Sequence, residues 1–229
     1  MTARTGCILV AAGRGDRLGA GGPKALRSMA GVPLVAHAAR AAWSSGVLDV
    51  LVVAAPAKYL DQVEVAIRPL GGHVVVVVGG STRRDSVRAG LDALPADVAT
   101  VLVHDAARCL APPDLFVAVA AAVTERSDAV VPGLAVADTI KEVSTEDLVV
   151  RTLDRSVLRI VQTPQGFRRD VLVRAHSVAG DATDDAGLVE RLGGTVRIVP
   201  GHEDAFKVTR PLDLLLAEAV LARRSAGAA

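Results

Sequence analysis

Residues 6–24 read Gly-Cys-Ile-Leu-Val-Ala-Ala-Gly-Arg-Gly-Asp-Arg-Leu-Gly-Ala-Gly-Gly-Pro-Lys. A short apolar run, which predicts a buried strand, breaks into a loop of five glycines that carries Arg14, Arg17 and Lys24. Glycine lets backbone N–H groups approach an anion closely, and Arg with Lys supplies the charge that water would otherwise provide. The chemistry this suits is the holding of a triphosphate. A strand-to-helix connection with solvated cations uses the same residue types, so the spacing must discriminate. A Walker loop needs Gly, four residues, then Gly-Lys-Ser/Thr, whereas here Gly15 and Gly19 stand too close and Lys24 follows Pro23. A dinucleotide fingerprint needs a third glycine where Leu18 stands. Ala54-Ala55-Pro56 also offers no acidic residue after the second strand, which disfavours an NAD-dependent oxidoreductase.

The chain has 229 residues, enough for one domain, 1–229, with room for a projecting element. Its formal net charge is +1 and aromatics make up 2 % of it. That balance gives no general attraction to nucleic acid or acidic membranes and no stacking platform for bases, so any anion site is local. Cys7 and Cys109 supply neither a disulfide framework nor metal spacing. No charged-then-apolar leader opens the sequence, and the longest uncharged apolar run, 115–123, is too short to span a bilayer. The expected location is the cytoplasm.

The elements that must position these groups alternate between strand and helix. Residues 33–45 read as a helix with Pro33 in its first turn and Gly46 past its end, 47–55 as a strand, and 59–70 as a helix. Five consecutive valines at 74–78 predict a strand covered on both faces. Gly79-Gly80-Ser81-Thr82-Arg83-Arg84-Asp85-Ser86-Val87 follows and opens a helix to residue 94. Strand 100–103 ends in His104-Asp105-Ala106-Ala107-Arg108, before a helix at 113–124 and a strand at 129–132. Such alternation predicts an α/β fold with a mostly parallel twisted sheet, whose ligands gather beyond the carboxyl ends of the strands.

The pattern then changes. Residues 136–143 and 148–153 flank Ser144-Thr145-Glu146-Asp147 and read as a β-hairpin arm, spanning about 135–156 with its flanks. A lone hairpin is marginally stable, so it is expected to pack on something, another subunit or, as the alternative, its own domain as a flap. The chain re-enters at 160–162, passes Thr163-Pro164-Gln165-Gly166-Phe167, and forms helices at 169–178 and 184–192, a strand at 195–199 and a last helix at 212–222, with a frayed tail from Ser225. Asp184 and Asp185 fall in a helix first turn, where carboxylates offset the dipole without any metal.

Taken in order, Ala11-Ala12-Gly13-x-Gly15-x-Arg17-Leu18, Pro23-Lys24, Gly79-Gly80 with Arg83 and Ser86-Val87, and His104-Asp105-Ala106-Ala107-Arg108 are followed by Asp138-Thr139-Ile140-Lys141, Asp154-Arg155, Gln162-Thr163-Pro164-Gln165 and Lys207-Val208-Thr209-Arg210-Pro211. Together they resemble the 2-C-methyl-D-erythritol 4-phosphate cytidylyltransferases of the non-mevalonate isoprenoid pathway. The first loop alone indicates only a nucleotidyltransferase; the later motifs make the match specific. The resemblance implies a Rossmann-like nucleotidyltransferase fold and attack of the acceptor phosphate on the α-phosphorus of CTP, releasing pyrophosphate. It implies Arg17 and Lys24 as the catalytic cations, with Lys24 nearest the α-phosphate. Ala11, Ala12, Gly13, Gly15, Gly80, Ser81 and Ser86 are implied around the nucleotide. For methylerythritol phosphate it points to Asp105, Arg108, Thr163 and Lys207, and to Thr139 and Arg155 on a hairpin that reaches across a homodimer. Asp105 is also the candidate ligand for Mg²⁺ or another divalent cation.

Without that resemblance, Asp105 reads as a turn cap or a partner of Arg108, Arg83 equally as a loop staple, Arg155 as a partner of Asp154 or Glu142, and His104 as a packed residue. Three positions depart from the family pattern: Cys109 where Pro is common, Ser81 where an acidic residue occurs, and Asp185 where Glu is usual. Ribitol 5-phosphate cytidylyltransferase has a similar scaffold and stands as the nearest alternative; a non-catalytic nucleotide-binding regulator would require Lys24 or Arg17 to be dispensable.

Overall fold

In β1 (Arg4–Val10) successive side chains turn to opposite faces: Cys7 and Leu9 enter one apolar cluster and Ile8 the other. This alternation makes β1 the middle of a layered structure. A computed structural model describes residues 4–13, 15, 18, 22–178 and 182–227. After the first loop come a short ribbon of β2 (Ser28–Met29) and β3 (Val32–Pro33), then α1 (Leu34–Trp43), β4 (Val50–Ala55), α2 (Leu60–Ile67), β5 (Val74–Val78), α3 (Arg83–Ala93) and β6 (Val98–Asp105). The second half holds α4 (Pro113–Ala122), β7 (Ala129–Ala135), the hairpin β8 (Lys141–Val143) and β9 (Val149–Thr152), β10 (Arg159–Val161), β11 (Gln165–Arg168), α5 (Arg169–Ser177), α6 (Asp185–Arg191), β12 (Val196–Pro200) and α7 (Pro211–Gly227).

The main sheet runs β10-β7-β11-β6-β1-β4-β5, with β12 paired to β7. Pairings of β1 with β4 and β6, β4 with β5, and β12 with β7 are parallel; β10 and β11 pair antiparallel with their neighbours. Helices α1, α2, α4 and α7 bury Leu34, Val63, Phe116 and Ala217 against one face, and α3, α5 and α6 bury Val87, Leu172 and Val189 against the other. The fold is therefore the α/β, mostly parallel, Rossmann-like one expected.

Three details differ from the expectation. The valine strand β5 is an edge, with Val75 and Val78 exposed, because β-branched residues favour strand backbone whether or not both faces are covered. The segment after Pro164 is not a mere passage: β11 inserts between β6 and β7 and buries Phe167 completely. The last helix extends through Ser225 to Gly227 instead of fraying there. Among the described residues no helix is long and apolar enough to cross a membrane.

Candidate active site

Parallel register aligns the ends of the central strands. Val10 of β1 stands opposite both Ala54 of β4 and Asp105 of β6, and Ala55 of β4 stands opposite Val78 of β5. Backbone bonds carry the alignment into the loops: Ala11 N–H donates to Ala54 O at 2.8 Å, Gly79 N–H to Ala55 O at 2.7 Å, and Ala106 N–H to Val10 O at 3.0 Å. The chain leaves β1 for β4 and β5 on one side and returns to β6 on the other, so a crevice opens where the loops diverge. It forms a cavity of about 660 Å³, whose wall includes Ala11, Ala12, Gly13, Gly15, Gly80, Ser81 and Ser86. That volume lies within the roughly 300–1,000 Å³ typical of small-molecule sites.

Lys24, Arg83 and Lys207 reach the same cavity, with Asp105 as the carboxylate among them. Lys24 opens a single 3₁₀ turn, Lys24–Leu26, after Pro23. The turn is tied down by Arg27, whose guanidinium donates to Leu18 O at 3.0 Å and whose carbonyl accepts from Leu34 N–H at 2.9 Å. Lys207 arrives from the far end of the chain because Val208 N–H donates to Ala107 O at 2.8 Å, laying that segment beside the end of β6. Its ammonium is 2.7 Å from Asp105 Oδ2, and Arg83 Nε is 3.0 Å from Oδ1. Burial pushes the Asp105 carboxyl up, but the Arg83 guanidinium and the Lys207 ammonium outweigh it and hold the group well below the usual carboxylate range. The partners of Asp105 are thus Arg83 and Lys207, and Arg108 is turned elsewhere.

The other expected contacts divide. Ser86 lies at the wall, yet its hydroxyl accepts from Gly80 N–H at 3.1 Å and donates to Thr82 O at 3.0 Å, so it shapes the loop before it meets any base. Ser81 Oγ donates to Asp85 at 3.0 Å. Arg108 aims its fork at backbone, donating to Ala205 O at 2.7 Å and Val161 O at 3.2 Å. Thr163 sits behind Asp105, its hydroxyl accepting from Asp105 N–H at 3.1 Å. Neither of these two is part of the cavity wall. Thr139 and Arg155 are exposed on the arm, Arg155 bonded to Ala137 O, while Glu142 pairs with Arg151 at 2.5 Å. Within this chain the arm does not bring them to the cavity. Arg17 lies outside the described residues.

A family model described as 2-C-methyl-D-erythritol 4-phosphate cytidylyltransferase (IspD) matches residues 6–223. A protein of that name from Streptomyces coelicolor is 54% identical over 233 residues, covering 97% of this chain and 86% of its own. The chain belongs to this family. The cytidylyltransferase of that name from Saccharopolyspora erythraea is 53% identical, over 94% of this chain and 98% of its own. The crystal structure of the Thermus thermophilus cytidylyltransferase superposes with a TM-score of 0.75 at 37% identity, covering 93% of this chain and 97% of that one.

For a cytidylyltransferase of this kind, sequence reading missed one part of the site. Asp185 stands in the first turn of α6, as expected, behind Asp184, which caps the helix by accepting from Gly187 N–H at 3.0 Å; what spacing does not show is that the Asp185 carboxylate is buried against Arg83 and His176. Gln165, read only as part of a motif, ties β11 to α6 by donating to Asp184 at 2.7 Å. No local spacing announces either contact.

His104 is a packed residue of this site. Its Nδ1 lies 2.9 Å from Thr163 Oγ1 and its ring meets Phe116 edge-on at 4.8 Å. Burial is the main cause that pushes its pKa down from 6.5 to about 4. The unfolded chain therefore binds a proton between these values that the folded chain refuses, so the contribution of His104 is fully present above pH 6.5 and is expected to be lost as pH drops to 4, by about 3 kcal/mol. Urea unfolding across that range should show the loss, and His104→Asn, less stable at neutral pH, should show a flatter dependence.

Proposed function

We propose that this chain transfers the cytidylyl group of CTP to 2-C-methyl-D-erythritol 4-phosphate, giving 4-diphosphocytidyl-2-C-methyl-D-erythritol and pyrophosphate. The observation that carries the reading is the convergence of Lys24, Asp105 and Lys207 on one cavity, in a chain of this family. An acceptor phosphate oxygen forms the new P–O bond at the α-phosphorus as the bond to the bridging oxygen breaks and its electron pair leaves with pyrophosphate. The attacking phosphate is already an anion near neutral pH, so no general base is needed. Lys24 is assigned to the α-phosphoryl oxygens, where charge develops, together with Arg17. A fixed cation there lowers the barrier without reorganising at the moment of reaction.

The cytosine end is assigned to the Ala11-Ala12 backbone and Gly80. A Cβ on Gly79 would sit 2.6 Å from that of Ala12, so these two loops form one close wall. Lys207 is assigned to the acceptor phosphate. Among the described residues no group of three His, Cys, Asp or Glu is placed to hold a metal, but Mg²⁺ binds readily through one carboxylate plus substrate phosphates. Asp105 stands ionised at the wall, but its Oδ1 meets Arg83 and its Oδ2 meets Lys207, so it would hold the ion only by sharing those oxygens; when bound, the ion would neutralise triphosphate charge.

The arm carries the exposed apolar residues Val143, Leu148, Val149, Val150 and Val157 in a short span. Apolar surface of this kind supports a homodimer in which Thr139 and Arg155 serve the neighbouring subunit's cavity. Pyrophosphate release with Mg²⁺ and CTP tests the reading directly. Release is expected with methylerythritol 4-phosphate and not with ribitol 5-phosphate or without acceptor; the reverse preference would move the enzyme to the other cytidylyltransferase class. In the same assay, subunits carrying Lys24→Ala mixed with subunits carrying Arg155→Ala should regain activity. No recovery in verified mixed dimers would return Arg155 to its own subunit.

A further inference from the structure

A chain of polar contacts runs from the wall of the cavity into the molecule behind it. His176 Nε2, in the last turn of α5, is 2.9 Å from Asp185 Oδ1; Asp185 Oδ2 accepts from Arg83 Nη1 at 2.5 Å. Arg83 Nε donates to Asp105 Oδ1 at 3.0 Å, and Asp105 Oδ2 holds Lys207 at 2.7 Å. His176 and the Asp185 carboxylate are almost wholly buried, whereas Lys207 faces solvent. The neighbouring Arg84 fastens the same helix end by donating to His176 O at 3.0 Å and to Val178 O. At its own end Arg83 is fixed by the capping box that Thr82 and Asp85 build at the start of α3. The rigid guanidinium presents Nε–H to Asp105 and Nη1–H to Asp185 along fixed directions, whereas an ammonium at this position would be a rotatable point charge that fixes neither direction.

We propose that Arg83, gripped by Asp185 and His176, is a positioning residue that sets the Asp105 carboxylate and, through its second oxygen, the Lys207 ammonium. The inference rests on the assignment of Lys207 to the acceptor phosphate. Lys207 is held by a directed contact, 2.7 Å from Asp105 Oδ2, while Arg83 takes the other oxygen. If Arg83 loses Asp185 it can swing toward Asp105 alone, and the oxygen that aims Lys207 moves with it. The acceptor end of the cavity loses its register, while the cytosine contacts assigned to the Ala11-Ala12 backbone and Gly80, which do not run through Asp105, keep theirs.

The test is steady-state kinetics with CTP and acceptor varied separately, on Asp185→Asn, Asp185→Glu and Arg83→Lys, at a temperature where circular dichroism finds each folded. Asp185→Asn and Arg83→Lys should raise the acceptor KM by at least about tenfold and the CTP KM by no more than about threefold. Asp185→Glu should restore most of the loss, and the double variant Arg83→Lys/Asp185→Asn should be no worse than either alone. An unchanged or lowered acceptor KM, equal effects on both substrates, or additive losses would overturn the proposal. Should Asp185→Asn fail to fold, Arg83→Lys decides. An inactive wild type under the same conditions would instead count against the proposed function.

Discussion

Lys24→Ala is expected to lower kcat about a thousandfold while the equilibrium affinity for CTP weakens no more than about tenfold. The asymmetry follows from where the charge is needed. A ground-state triphosphate carries its charge on many oxygens and has other cations to meet; the α-phosphoryl oxygens gain charge only as the acceptor attacks. A cation helps the second state more if it is already in place, and the single turn at Lys24 is fixed by Pro23, by Arg27 and by the start of α1. Removing one fixed donor to a developing oxyanion commonly costs about 10²–10³ in turnover. Pyrophosphate release at saturating acceptor gives kcat, and calorimetric titration with CTP gives the affinity. Equal losses in both would make Lys24 a binding group alone.

What the sequence made legible was whatever the backbone punctuates. The apolar run into the glycine loop marked β1 and the cavity's floor, and Gly79-Gly80 and His104-Asp105 marked two further strand ends. Their alignment follows from parallel pairing, which is why loops read separately meet in space. Strand β11 escaped because Gln165–Arg168 is short, follows a proline and shows no alternation. The edge position of β5 escaped because five valines describe strand propensity and not the number of neighbours.

The ion pairs were the least legible part. Arg108 stands three residues after Asp105 and was the natural partner on spacing, but the turn made by Arg108 N–H donating to Asp105 O carries its side chain away to Ala205 and Val161. Arg83 is 22 residues from Asp105 and Asp185 is 102 residues from Arg83. Contacts of that span depend on how α3, β6 and α6 pack, and no periodicity records packing.

Gly15→Ala, which alters no charge, should cut kcat about a hundredfold. Gly15 has φ +77°, and a Cβ there would lie 2.5 Å from Lys24 Cβ, 3.1 Å from its Cα and 3.2 Å from its N. None of these is the free end of a side chain, so the turn itself has to shift and Lys24 shifts with it. A displacement of about 1 Å at a catalytic group costs on the order of 10² in rate. The backbone strain must be separated from the displacement, and Gly46→Ala does so. Gly46 has φ +70°, lies past the end of α1 away from the cavity wall, and a Cβ there meets nothing within 4 Å. Each variant should lose about 1–2 kcal/mol of stability from the left-handed backbone. Only Gly15→Ala should lose turnover when both are assayed folded. If the two behave alike, Lys24 is positioned by something other than its contact with Gly15.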